Sequence, residues 1–408
     1  MAVKYIILIL LRKWNNVKFF QAKYLFRYKI ALAVLIMASL SFISEGKVLQ
    51  EQASIASDEC YNPRVAVTDS GDVYCVWEGV YQGRSRIFFR ERKNGEWGKE
   101  LIIDDSEWGD NHEPVITFDS EGAPYVAWSY SDPEFSSVVY AYRRENSWVH
   151  PAPLSMNSDL NCESPDIVLD KTTDRVFVTW QEGRGSRYAV YGAYQDDKGL
   201  FVTEQISDPD DTGYNVFPQI FMSPSPFVAW YGMHESDFIL RAALFNIQAE
   251  KWMRYEPSGL ENLPCNRLPF LMSDSGGDLH AVWYDSDGST DRIFFAAPGG
   301  PGYGQGRVVD DNPAQINNLP IGEITEDGRA YICWRGESIF GGQIFLNRAS
   351  QKSGSFHFGE SRLISDGQNL FYTEPDLSAG PNGRLACVWI SSALDGGDGA
   401  VYFRIVNE

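Results

Sequence analysis

The sequence predicts an all-β protein, a seven-bladed β-propeller of four-stranded antiparallel blades. Two observations point there. A proline-to-tryptophan motif recurs seven times at a period near fifty residues, and no segment sustains helical periodicity. The pairs are Pro63–Trp77, Pro114–Trp128, Pro165–Trp180, Pro218–Trp230, Pro269–Trp283, Pro320–Trp334 and Pro375–Trp389. Successive prolines lie 51, 51, 53, 51, 51 and 55 residues apart, and five of the seven pairs share a 14-residue offset. One such sheet cannot bury both faces alone, but sheets stacked radially around an axis can. The repeated Trp is therefore expected between blades.

The first unit shows why each piece reads as a strand. Arg64–Thr68 is an apolar run opened by Pro63, and Asp69-Ser70-Gly71-Asp72 has turn composition. Val73–Trp77 is the second strand and Ile87–Arg92 the third. Asn94-Gly95 suits a tight hairpin, because glycine tolerates positive φ. Trp97–Ile103 completes the unit. The third strand recurs as Val138–Arg143, Ala189–Tyr194, Ile239–Ala243, Ile293–Ala297, Ile344–Arg348 and Val401–Ile405. The last unit lacks a fourth strand before Glu408. The extended segment Lys47–Ile55 is expected to supply it and close the ring.

The chain carries 35 Lys+Arg and 55 Asp+Glu, a formal charge of −20. Residues 1–46 hold seven bases and one acid, so the remaining 362 residues carry 28 bases, 54 acids and a net charge of −26. That excess of acid argues against nucleic acid and against anionic membrane surfaces as partners. Within residues 1–46, a basic stretch precedes the apolar run Ile30–Ser44 and the small-residue end Ser44-Glu45-Gly46. This is the layout of a secretory signal, with an uncleaved anchor as the alternative. The domain expectation is thus a leader or anchor over 1–46 and the propeller over 47–408, secreted or periplasmic and monomeric. There are six cysteines and no CxxC pair. Cys75, Cys333 and Cys387 lie in apolar runs ahead of a Trp and are expected as buried thiols. Cys60, Cys162 and Cys265 precede strands, where disulfide pairing stays open.

In a propeller, the loops before the first strand and after the second are expected to line the central pocket. The segments before the prolines supply His112, Glu113, Glu163 and Glu374 as candidate catalytic groups. Two carboxyl groups would serve glycoside hydrolysis, and a His or Tyr base with a cation would serve a lyase. Asn recurs in six of the seven segments and is expected to cap turn amides. Trp108, Tyr130, Tyr214, Arg267, Tyr284, Asp285, Arg335 and Tyr372 are the candidate ligand-binding residues. Aromatic faces stack on sugar rings, and polar groups bond sugar hydroxyls. Trp108 stands out because it belongs to neither the repeated Trp set nor the fourth-strand aromatics. Asp285, Asp287 and Asp291 resemble part of a calcium loop, which needs hard oxygen ligands. A solvated turn is the simpler account of them, and no other cofactor or metal is expected.

Asn94-Gly95-Glu96-Trp97 and, more faintly, Asn146-Ser147-Trp148 resemble the tail of the BNR, or Asp-box, repeat of the sialidase-like propeller superfamily. The resemblance implies the same propeller fold across 47–408. It implies less about chemistry. Sialidases carry an Arg-Ile-Pro motif in the first blade, where this chain reads Asn62-Pro63-Arg64-Val65. Phe403-Arg404-Ile405-Val406 lacks the proline and lies in the last blade. No sialidase site residue carries over, and fold alone does not assign function. The leading expectation is non-catalytic binding of a glycan or cell-surface ligand. A carbohydrate-active hydrolase or lyase is the second reading, and a protein-interaction scaffold the third.

Overall fold

A computed structural model describes residues 50–407 apart from 106–107, 151, 156–158, 212, 223, 235–236, 256–268, 287–289, 299–305, 312–315, 339–340, 353–354, 367–369 and 394–398. The expected leader over 1–46, and with it Arg267, Cys265 and Asp287, lies outside the described residues.

The chain folds into seven antiparallel sheets set around an axis. Blade I is Cys60–Val67, Val73–Tyr81, Arg84–Lys93 and Glu96–Trp97. Blade II is Asp110–Phe118, Pro124–Ser131, Ser136–Arg144 and Ser147–Val149. Blades III to VI follow the same order, with inner strands Asn161–Asp170, Asn215–Met222, Phe270–Ser273 and Ile316–Ile324. In blade VII, Leu370–Ala379, Arg384–Ala393 and Ala400–Asn407 are completed by Glu51–Gln52 from the other end of the chain. Glu51 pairs with Phe403 and Gln52 with Tyr402, so the ring closes through the N-terminal strand. Ala53 N–H donates to Val401 O at 2.8 Å, and Glu51 accepts the Trp97 indole N–H at 2.6 Å.

The seven repeated tryptophans are no more than 3% exposed. Each packs on the blade before it. Trp128 sits among Tyr74, Val76 and Phe89 of blade I, Trp334 among Val282, Ile293 and Phe295 of blade V, and Trp77 among Val388, Ile390 and Phe403 of blade VII. Within its own blade the ring also stacks on the third strand, as in Trp77–Phe88 at 5.7 Å and Trp334–Phe345 at 6.0 Å. Burying an indole on both sides in this way is the main source of cohesion between sheets.

The recurring asparagine has a different role from turn capping. Asn111, Asn215 and Asn317, each three residues before the proline, are buried and accept the indole N–H of their own blade's Trp. The distances are 2.8, 2.9 and 3.0 Å, to Trp128, Trp230 and Trp334. A buried indole N–H needs an acceptor. Where this position is Cys162, Glu182 accepts from Trp180 instead, at 2.8 Å. Five cysteines, Cys60, Cys75, Cys162, Cys333 and Cys387, are buried free thiols.

The inner strand begins earlier than its apolar run suggests. Cys60–Val67 runs through Pro63 by means of a register shift between Tyr61 and Arg64. The same shift spans the proline in blades II, III, IV, VI and VII. At each one the residue before the proline has positive φ, from 49° at Asn62, Leu319 and Glu374 to 53° at Glu113 and Phe217. Non-glycine residues rarely adopt that conformation, so the surrounding structure must hold it. In blades I, II and VII the bulge sets the residue before the proline, Asn62, Glu113 and Glu374, into a common pocket lining.

Inner strands face a narrow channel and have no strand partner there. Side chains of the preceding blade bond their amides instead. Asp376 accepts Val65 N–H at 2.8 Å, Asp166 accepts Ile220 N–H at 2.9 Å, Gln219 accepts Leu271 N–H at 3.0 Å and Glu323 accepts Ala379 N–H at 2.6 Å. Enclosure by protein raises all three carboxyls, Asp166 to about 6 and Glu323 to about 7. Arg64 opposes the rise at Asp166 and Asp376.

Two outcomes follow from this packing. Asn317→Ala leaves the Trp334 N–H buried without its acceptor and should cost about 1–3 kcal/mol in denaturant unfolding; a cost within error of zero would refute the bonding role. An acid that binds its proton more tightly when folded adds stability below its unfolded pKa and loses it as pH rises through the folded value. For Asp166 and Glu323 that loss falls between about pH 4 and about 7. Melting curves across this window should fall with pH, and the Asp166→Asn, Glu323→Gln double variant should flatten them.

Candidate functional site

Five of the candidates from sequence line one pocket of about 560 Å³ where blades I, II, III and VII meet at the axis. These are His112, Glu113, Glu163, Glu374 and Tyr130. The proline bulges explain the convergence, because they set Glu113 and Glu374 immediately before Pro114 and Pro375. Glu78 and Ser129, each directly after its blade's Trp, join them from the second strands. Tyr61, Asn62 and Asn161 complete the polar rim.

Glu78 is the hub. Its carboxylate meets His112 Nδ1 at 2.9 Å, accepts the Ser85 hydroxyl at 2.7 Å and accepts Asn62 Nδ2 at 3.2 Å. Burial would raise its pKa, but the bonds from His112, Ser85 and Asn62 outweigh burial and hold it below the ordinary carboxylate range. The same pairing raises His112 against the opposing effect of burial.

The other carboxylates are held by neutral donors. Glu113 accepts Ser164 N–H at 2.7 Å, and Glu374 accepts Asn62 N–H at 2.8 Å. Glu163 accepts Asn161 Nδ2 at 3.1 Å and Gln181 Nε2 at 3.2 Å. Burial raises Glu113, with the nearby Glu163 charge adding to the rise. The Tyr130 hydroxyl donates to Asp132 at 2.8 Å, and burial together with that bond pushes it up to about 12.

Trp108 stands outside the lining and is 69% exposed, with the Arg84 guanidinium 5.1 Å from its ring centre. Gly109, at φ 81°, rests against the pocket wall; a β-carbon there would meet the Tyr130 hydroxyl oxygen at 2.7 Å. Trp108 is thereby held beside the pocket.

The remaining candidates lie elsewhere. Tyr214 donates to Gly185 O at 2.9 Å and stacks on Tyr188 at 5.8 Å, on the blade III–IV side. Tyr284 packs against the blade V–VI core. Asp285 accepts Ser286 N–H at 2.8 Å, and Arg335 pairs with Glu337 at 2.9 Å. Tyr372 is a correction. It is fully buried, donates to Asp366 and packs edge-on to Trp389, so it belongs to the core rather than to a ligand surface. Among the described residues no three His, Cys, Asp or Glu side chains are grouped to hold a metal ion. The expected calcium trio includes Asp287, which is not described.

Glu78, Ser129 and Tyr61 were not among the catalytic or binding candidates. The alternation of a strand held the signal for two of them. The residue after a buried Trp points to the opposite face, and at the loop end of the second strand that face borders the channel.

No sequence family matches the chain, and no curated protein does. Solved structures share its fold. A polysaccharide lyase, an ulvan lyase bound to -[GlcA(1-4)Rha3S]-, is 11% identical, with TM-score 0.59, over 88% of this chain and 96% of that one. A protein of unknown function from Dyadobacter fermentans is 10% identical, with TM-score 0.51, over 88% and 98%. The NanB sialidase of Streptococcus pneumoniae is 10% identical, with TM-score 0.48, over 88% and 70%. The ulvan lyase and the Dyadobacter protein share the β-propeller architecture, and the likeness extends to the fold alone.

The Glu78–His112 pair makes a direct expectation. In NMR titration His112 should titrate above a free histidine, and Glu78→Gln should bring it down toward the ordinary value. An unmoved His112 would show that Glu78 does not set its charge.

Proposed function

We propose that the loop-face pocket binds a glycan and that the protein is an exported, non-catalytic saccharide-recognition propeller. The observation that carries this is the pocket itself. It places carboxylates, amides and hydroxyls around a volume of about 560 Å³, with the Tyr61 and Tyr130 side chains in its wall and exposed Trp108 beside it. Hydroxyl-rich ligands need that mixture of fixed acceptors and flat apolar surface. The oligosaccharide-bound ulvan lyase, which shares the fold, supports a saccharide ligand. The basic, apolar and small-residue order of residues 1–46 supports export. Binding without turnover is favoured because Glu113, Glu374 and Glu78 already hold backbone amides or His112 in place.

One observation favours a second reading, glycoside hydrolysis. Glu113 is raised by burial and Glu163 lies close enough to add to that rise, and acid–base pairs are built from carboxyls in such unlike settings.

A glycan panel read for both binding and product release separates these readings. Trp108→Ala should weaken binding about tenfold, the worth of one stacked ring, and leave melting unchanged because the side chain is exposed. Product release abolished by Glu113→Gln would establish the hydrolase instead. Absence of binding to every glycan would overturn both.

A further inference from the structure

Resting on that glycan reading, we infer that the pocket selects saccharides bearing a protonated amine and rejects saccharides bearing a carboxylate. The argument begins with charge. Four carboxylates line the pocket, at Glu78, Glu113, Glu163 and Glu374, and among the described lining residues the one base is His112. His112 is already bound to Glu78 at 2.9 Å, so this pair is close to neutral when the imidazole is protonated. Glu113, Glu163 and Glu374 have no ion-pair partner among the described residues. Their donors are neutral: backbone N–H groups, the side-chain amides of Asn161 and Gln181, and the Tyr188 hydroxyl at Glu163.

Arg84 acts on Tyr130 from outside the lining, over the Trp108 ring, and Arg64 is the fixed cation that acts on a pocket carboxylate. It attracts Glu113 through space, but its guanidinium donates to Pro63 O at 3.0 Å and it lines the channel rather than this pocket. A uronic or sialic carboxylate entering the pocket would therefore meet unneutralised like charge in a concave, partly desolvated site. An ammonium would meet a complementary one.

A second observation points to a missing ligand group. Ser129 is 5% exposed, lines the pocket and has a hydroxyl with no hydrogen-bond partner among the described residues. It sits opposite His112 in the strand register, at the pocket wall. Buried hydroxyls are normally bonded, and an ammonium or sugar hydroxyl would satisfy this one. Among the described residues no three His, Cys, Asp or Glu groups are placed to hold a metal ion. The tyrosine side chains in the wall supply the flat faces that a sugar ring uses and a bare polyamine does not need.

Calorimetry on the full chain tests this with five probes in mildly acidic, low-salt buffer. They are oligomers of β-1,4-glucosamine, its N-acetylated counterpart, a β-1,4-glucan of equal length, an oligogalacturonate, and spermidine. The glucosamine oligomer should bind about tenfold tighter than the uncharged oligomers, lose that advantage at high salt, and outcompete spermidine. Oligogalacturonate should show no binding. Glu163→Gln and, separately, Glu374→Gln should each reduce the preference for the charged over the uncharged oligomers several-fold. Circular dichroism confirms that each variant is folded. Equal affinity for charged and uncharged oligomers would overturn the charge inference and leave glycan binding standing. Tighter oligogalacturonate binding, or spermidine matching the amino sugar, would also overturn it. Failure of all four saccharides would overturn the glycan reading and the inference together.

Discussion

The structure depends on how the inner strands satisfy amides that have no strand to pair with. Seven sheets around an axis leave seven inner edges facing a channel too narrow for another strand. Unpaired edges are a liability in any sheet. Here a side chain from the preceding blade reaches across and accepts the amide, and each of these contacts runs in the same direction. Glu113 serves Ser164, Gln181 serves Phe217, Gln219 serves Leu271, Glu323 serves Ala379, and Glu374 with Asp376 serves Asn62 and Val65. The Trp contacts hold the blades together by area, and these bonds set their register at the axis.

That constraint explains much of the acidity near the axis. Most of these acceptors, Glu113, Gln219, Glu374 and Asp376, flank the repeated proline, while Gln181 follows Trp180 and Glu323 lies three after Pro320. They are Asp, Glu or Gln, with acceptor oxygens on short or medium stems. The bulge at the proline is the backbone device that aims those flanking it. Proline donates no N–H, so placing it there removes an amide that would otherwise be orphaned in the bulge. At Asn62, Glu113, Ser164, Phe217 and Glu374 the strained positive φ beside the proline is tolerated because the side chain or amide is tied to a neighbouring blade.

The fold was legible in the sequence because its main cohesive contact is a Trp at fixed spacing from a Pro, and both residues are conspicuous. The ring closure was legible because the last unit was short by one strand and an extended segment stood ahead of the first. The site was legible only in part. Glu113, Glu163, His112 and Glu374 were found because they stand beside the prolines. Glu78, directly after its Trp, was expected on the loop face but given no role among so many acids, and Ser129 was passed over because a single polar residue there reads as a strand terminus. Tyr372 misled for the opposite reason. It occupies the position of Asn111 and Asn317, three before the proline, and that position points into the core beside the Trp, not into the channel. Asn itself was misjudged for the same reason: turn chemistry and indole bonding ask for the same amide side chain.

The pocket's chemistry then follows from what the ring has left over. Each carboxylate that bonds an amide with one oxygen keeps a second oxygen and its full charge. Where an Arg or His stands close, as with Arg64 in the channel and His112 at Glu78, that charge is moderated. Where only neutral donors stand close, as at Glu163 and Glu374, it is not. A site assembled from structural acceptors in this way is acidic by construction. Arg64, in the first blade, does not join the pocket carboxylates but lines a channel cavity with Glu323 and Asp376. Its charge opposes the rise at Asp166 and Asp376, so among the described residues it is the cation that lets those acids share the channel.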